Sequence, residues 1–323
     1  MVAQIYETTG ETAASLIAEI ADLRRQRNAI ILAHNYEYGE IQEIADYVGD
    51  SLGMAQAAAR TDADVIMVCG VYFMAETAAI LNPQRTVLIP DANAGCSLAD
   101  SITVEQLRAW KAANPGAVVV SYVNTSAAVK AESDYCCTSG NAERVINAIP
   151  ADKTILFLPD MFLGSYLRHK TGRPLKIWAG ECHVHAAIRP TMIEQKRAAM
   201  PDAEFLIHPE CGCVSSAMDY VARGAIESRG THILSTEGMI AHVNRSPASR
   251  FVVATEIGVL HRMRKANPDK QFVPIDESIS CRYMKLITLA KVRDSLRDLR
   301  EQVTVPPEIA ERARIAIDRM LAL

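Results

Sequence analysis

The chain has 323 residues, 49% of them hydrophobic and 22% charged, enough apolar material to bury substantial cores. Its formal net charge of −4 supplies no general positive field for nucleic acid, so an anionic substrate needs donors placed locally. No apolar run approaches the ~20 residues that span a bilayer, and MVAQIYETTG lacks the basic-then-apolar order of a secretory signal. Eight cysteines without an export signal predict a reducing compartment, the cytoplasm, with thiols or metal ligands rather than disulfides.

Helical periodicity opens the chain: within residues 10–28, Leu16, Ile17, Ile20 and Leu23 fall on one face. AIILAHNY (29–36) follows, a continuous apolar run suited to a parallel strand covered on both sides. It delivers His34, Asn35 and Tyr36 to its carboxyl end, where open α/β sheets form ligand crevices. Asp50-Ser51 reads as the N-cap of a helix starting near Leu52. The strand VIMV (65–68), a helix through residues 74–82 and VLIPDANAGC then lead to Cys96.

A helix over residues 103–114 is broken by Pro115-Gly116 and followed by the strand VVVSYVN (118–124), which carries Tyr122 and Asn124. Thr138-Ser139 precedes another helix, and TILF (154–157) and LKIWAGEC lead to Cys182. A third passage begins with a helix at Pro190, with proline in its first turn. FLIHPE (205–210), a helix near Thr236, FVVA (251–254) and FVPIDESISC follow, ending at Cys281. Residues 284–303 and 306–321 read as helices.

The order helix, strand, polar tip, helix, strand, helix, strand, cysteine therefore occurs three times. It predicts an α/β fold of three homologous three-layer α/β/α units, with short parallel sheets around a pseudo-threefold axis. The expected boundaries are 1–100, 101–189 and 190–285, with residues 286–323 packing back on the units.

Such an arrangement brings Cys96, Cys182 and Cys281 to one point. Three thiolates suit zinc if a fourth ligand joins them. They also suit a [4Fe–4S] cluster with one open iron, a Lewis acid for a hydroxyl or carboxylate oxygen. Cys69 and the adjacent Cys136-Cys137 read as buried small hydrophobes. Cys211 and Cys213, beside His208, read as buried or as a small zinc site. His34, Tyr36, Tyr122, Asn124, His208 and Glu210 are either hydrogen-bonded loop residues or the walls of a shared pocket. Ser51, Ser139 and Thr236 are either plain caps or the start of helix N-termini that hold anions.

In order, HNY, GDS, DANAGCSLAD, SYVNTSAAVKA, CTSGNA, WAGECHVH, HPEC and CRYMK resemble the quinolinate synthase family, iron–sulfur enzymes of NAD biosynthesis. The resemblance covers residues 30–290. It implies one [4Fe–4S] cluster per chain on Cys96, Cys182 and Cys281, and condensation of iminoaspartate with dihydroxyacetone phosphate to quinolinate, with loss of phosphate and two waters. It also implies proton-moving roles for Tyr36, His208 and Glu210. His34, Met74, Tyr122 and Asn124 would line the substrate pocket, and Ser51, Ser139 and Thr236 would bind carboxylate or phosphate. L-aspartate oxidase is the implied metabolic source of iminoaspartate; no nucleic acid or membrane partner is implied. Some members carry further cysteines before the last ligand, where this chain has Ile275 and Ser278, and Phe162 stands where a polar residue is common. The rival readings are an aconitase-like hydro-lyase and a non-catalytic iron–sulfur sensor.

Overall fold

Three sheets of four strands each share one connectivity. In the computed structural model, which describes residues 12–213 and 230–323, the first sheet contains β1 (Ala29–His34), β2 (Tyr47–Gly49), β3 (Val65–Cys69) and β4 (Thr86–Leu88). The second contains β5 (Val118–Tyr122), β6 (Tyr135–Cys137), β7 (Ile155–Leu158) and β8 (Leu175–Ile177). The third contains β9 (Glu204–Ile207), β10 (Thr231–Ile233), β11 (Arg250–Ala254) and β12 (Gln271–Pro274). Their orders are β2-β1-β3-β4, β6-β5-β7-β8 and β10-β9-β11-β12, and every pairing is parallel. The expected tripled α/β fold is therefore present.

Burial explains why the apolar runs become strands. All of β3 and all of β7 are buried, as inner strands covered on both faces must be. The edge strands β2, β6 and β10 have three residues each, too few to show a period, and the sequence reading did not anticipate them. A repeated side-chain device seats two of them. Asp46 accepts the Ile31 N–H at 2.9 Å and Asp134 accepts the Val119 N–H at 2.8 Å, each carboxylate standing just before its edge strand.

The first helix, Ala13–Gln26, is capped by Thr12 and buries Leu16, Ile20 and Leu23. Ile17, expected on the same face, is instead 38% exposed, because it lies beside the i, i+4, i+7 stripe rather than on it. The single helix expected over 284–303 is also divided. A 3₁₀ turn at Met284–Leu286 precedes Leu289–Asp298, which Thr288 caps and which ends at Leu299 with a left-handed φ of 49°. Arg293 ties that helix to the first through Glu19 at 2.8 Å. The last helix, Pro307–Ala322, spans units one and two: Arg314 donates to the Leu81 carbonyl at 3.0 Å, and Asn141 donates to the Met320 carbonyl at 2.9 Å.

The expectation that all cysteines stay unpaired is corrected at one place. Cys211 and Cys213 are joined by a disulfide, their Cα atoms 5.2 Å apart. A turn in which the Cys211 N–H bonds to the His208 carbonyl at 2.9 Å brings the two sulfurs together, which removes this pair as a zinc site. Cys69, Cys136 and Cys137 are buried thiols, as expected. The helix that the repeat places after HPEC falls on residues 214–229 and the N-terminal segment on 1–11, both outside the described residues. Among the described residues no helix is long and apolar enough to cross a membrane.

Candidate active site

The carboxyl ends of the three sheets surround a cavity. Unit one supplies His34, Tyr36, Ser51, Met74 and Cys96 to its wall. Unit two supplies Tyr122, Asn124, Ser139 and Cys182, and unit three His208, Glu210, Thr236 and Cys281. All the site residues expected from sequence thus line one space. Phe162 is not among its lining residues.

The three cysteines share a local geometry that sequence did not reveal. Each begins a single helical turn, its carbonyl accepting the N–H four residues ahead: Asp100 at 3.0 Å, Ala186 at 2.8 Å and Lys285 at 3.1 Å. Backbone N–H groups of the second and third residues after each cysteine pull its thiol down. These are Leu98 and Ala99 at Cys96, Val184 and His185 at Cys182, and Tyr283 and Met284 at Cys281. Burial pushes the Cys96 thiol up to about 12 and raises Cys182 and Cys281 as well, against the pull of those N–H groups. A buried sulfur anion here needs a cationic centre beside it. Three free cysteines, one from each unit, on the wall of one cavity fit an iron–sulfur cluster with an open iron. Cys182, His185 and Glu210 also place donor atoms within 4.8 Å of one another.

A buried polar chain crosses the cavity. Glu210 accepts the Tyr122 hydroxyl and lies 3.2 Å from His185 Nδ1 and 3.8 Å from His208 Nδ1. His185 Nε2 reaches Thr255 Oγ1 at 2.9 Å and the Tyr36 hydroxyl at 3.3 Å. Tyr36 and Thr255 hydroxyls are 2.7 Å apart, and the His185 ring stacks on His208 at 4.7 Å. Burial raises the Glu210 carboxyl, while hydrogen bonds from His185 and the Tyr122 hydroxyl oppose burial and hold it low. Burial lowers His34 and His208 to about 3, with Glu210 opposing, so both rings are neutral at pH 7. In each ring Nδ1 accepts a backbone N–H two residues on, from Tyr36 at 3.2 Å and Glu210 at 3.4 Å. The ring proton of each is thereby assigned to Nε2. Burial and Glu210 keep Tyr36 and Tyr122 protonated.

Ser51 and Thr236 occupy the first turn of Ser51–Arg60 and Thr236–Arg245, while Asp50 and Ser235 make the caps, to Gly53 N at 2.9 Å and Gly238 N at 3.2 Å. Ser139 departs from the expectation: it lies in a turn ahead of Ala142–Ala148 rather than at a helix start. The cause is Asn141, whose side chain accepts the Thr138 N–H at 2.8 Å and folds that turn. Asn124 Oδ1 is buried without a hydrogen-bond partner among the described residues, an orphan acceptor facing a ligand space.

Sequence reasoning missed His185, Thr255, Glu256 and Lys285. Glu256 is fully buried, accepts the Cys281 N–H at 3.1 Å and pairs with Lys285 at 3.1 Å, holding the third cysteine turn in place. The one signal for His185 was its place three residues after Cys182 in CHVH.

A profile of the quinolinate synthetase A protein family matches residues 18–322. The quinolinate synthase of Thermus thermophilus is 53% identical over 309 residues, covering 96% of this chain and 97% of its own. That of Pyrobaculum aerophilum is 51% identical over 302 residues, covering 94% and 97%. That of Mycobacterium tuberculosis is 50% identical over 307 residues, covering 95% and 88%. With three equivalent sheets closing on one cavity and this likeness over nearly the whole length, the chain belongs to the quinolinate synthase family of enzymes.

Proposed function

We propose that the protein condenses iminoaspartate with dihydroxyacetone phosphate to quinolinate, releasing phosphate and two waters, in NAD biosynthesis. Cys96, Cys182 and Cys281 hold one [4Fe–4S] cluster per chain. The observation that carries this reading is the threefold cysteine turn, each closed by a backbone bond to its cysteine carbonyl, on the wall of a cavity that also holds Glu210, His34, His208, Tyr36 and Tyr122. When bound, the cluster supplies an open iron that acts as a Lewis acid.

The chain's own residues supply binding and proton movement. Ser51 and Thr236, at the N-termini of ten-residue helices, offer hydroxyls and backbone donors to carboxylate or phosphate, and Ser139 faces the same space. The Asn124 carboxamide oxygen awaits a donor from the substrate. Glu210, held as a carboxylate, is the base for a carbon-bound or nitrogen-bound proton, and Tyr122 shares its charge. The Nε2–H groups of His34 and His208 donate to developing oxyanions, and Tyr36, linked through Thr255 to His185, returns a proton. Tyr36, His34 and Tyr122 are each at most 9% exposed, and shielding from bulk water protects imines from hydrolysis.

The partners are small molecules, with L-aspartate oxidase as metabolic source of iminoaspartate, and the six unpaired cysteines support a cytoplasmic setting. The test is an anaerobic assay of reconstituted protein with both substrates. Quinolinate and inorganic phosphate are expected to form together. Dehydration of a hydroxy acid with no phosphate release from the triose phosphate would replace this reading with a hydro-lyase.

A further inference from the structure

Away from the cavity, on the outer side of the third unit, two imidazoles converge on one carboxylate oxygen. His242 Nε2 lies 2.7 Å from Glu204 Oε2, and His232 Nε2 lies 3.7 Å from the same atom. The two rings lie against each other, centroids 3.9 Å apart. The three side chains come from different elements, Glu204 from β9, His232 from β10 and His242 from the helix Thr236–Arg245. Their donor atoms all fall within 4.8 Å of one another.

Hydrogen bonding alone leaves this arrangement incomplete. The His242 contact is a good hydrogen bond, but 3.7 Å is beyond hydrogen-bond range, so the His232 nitrogen faces an oxygen it does not bond. Ser246 Oγ already donates to the same oxygen at 3.0 Å, fixing the carboxylate from behind as second partners of metal ligands do. Side-chain exposures of 32%, 24% and 22% for His232, His242 and Glu204 leave room for an ion to enter and for water to complete its coordination. A cation drawn between the three donors satisfies both nitrogens and the oxygen together.

We propose that Glu204, His232 and His242 form a binding site for a zinc-class divalent cation, with water as the fourth ligand. Two imidazoles and one carboxylate with an open position suit Zn²⁺ or Co²⁺, whereas Mg²⁺ and Ca²⁺ prefer all-oxygen shells. Burial and the neighbouring His242 lower the His232 ring, and bonds from His242 and Ser246 outweigh burial to hold Glu204 low, so the entering ion displaces the proton that His242 Nε2 shares with Glu204. The ion would clamp the outer edge of the third sheet to the helix whose first residue, Thr236, lines the cavity. It would therefore stiffen the third unit without touching the reacting groups.

The test is anaerobic Co²⁺ titration of the cluster-loaded protein, in which the cavity cysteines are occupied. One equivalent is expected to bind with d–d absorption and no thiolate-to-cobalt charge transfer, to be displaced by Zn²⁺, and to raise Tm. His232→Ala and His242→Ala should each weaken binding at least ~10-fold while quinolinate formation without added metal stays unchanged. A readout on the unaltered chain guards against misfolded variants: Zn²⁺ should protect His232 and His242 from diethyl pyrocarbonate, as read by mass spectrometry. Equal Co²⁺ binding by the double variant, or no protection of either histidine at millimolar Zn²⁺, overturns the proposal.

Discussion

His185 Nδ1 stands 3.2 Å from Glu210 Oε2, a contact between the second and third units across the cavity. The same ring is 3.4 Å from Cys182 Sγ, so one imidazole joins the cysteine turn to the carboxylate proposed as base. His185→Phe keeps a ring to stack on His208 but removes both nitrogens. Quinolinate formation should fall at least ~10-fold with cluster absorbance retained. A wild-type rate in that variant would show the contact to be packing alone.

Tyr122 and Glu210 form a buried pair whose partners come from different sheets. Glu210→Gln should keep the cluster and lose turnover by about 10²–10⁴-fold. Tyr122→Phe should cost less, and the double variant should be no worse than Glu210→Gln, because the two groups act as one unit. Strict additivity in kcat would separate their roles.

Gly258 sits against the backbone of Tyr36. A Cβ at position 258 would lie 2.7 Å from both the Tyr36 carbonyl carbon and oxygen, and 2.8 Å from Glu256 Oε2. Neither backbone can yield without moving the tyrosine. Gly258→Ala should therefore lower kcat by about an order of magnitude and stability by ~1–3 kcal/mol, with iron content unchanged. A crystal structure of the variant with Tyr36 unmoved would refute this.

Glu132 is an ion-pair hub outside the cavity, meeting Lys111 at 3.0 Å, Arg108 at 3.0 Å and Arg312 of the last helix at 2.9 Å. Burial raises its carboxyl, but these three cations outweigh burial and lower it from 4.5 to about 2. A depressed carboxyl stabilises the fold above its unfolded value and loses that contribution as pH falls through its folded value. Glu132→Gln should thus cost about 1–3 kcal/mol at pH 7, with the difference from wild type shrinking between pH 4.5 and 2. Denaturant melts at pH 7 and pH 3 check this; a difference that grows on acidification contradicts it.

How much was legible beforehand follows from what leaves a mark in a sequence. Long inner strands such as Val65–Cys69 and Ile155–Leu158 must be apolar throughout, and the repeat of such runs before Cys96, Cys182 and Cys281 exposed both fold and site. The edge strands Tyr47–Gly49, Tyr135–Cys137 and Thr231–Ile233 were hidden because three residues carry no period. His185 and Glu256 were hidden for another reason. Their roles depend on partners distant in sequence, Glu210 in another unit for the first and Lys285 beyond the next strand for the second, and no local pattern announces such contacts. The Cys211–Cys213 bond ran against the compartment argument, which weighs an average environment and is blind to a turn that presses two sulfurs together.

The central claim is that Cys96, Cys182 and Cys281 hold a cluster that the reaction requires. Iron and acid-labile sulfide counted in anaerobically purified protein, beside quinolinate formation by the same sample and by Cys281→Ser, test it most directly. The expected result is about four irons and about four sulfides per wild-type chain, with both cluster and product lost in the variant. Full turnover by a Cys281→Ser protein that contains no iron would contradict the account.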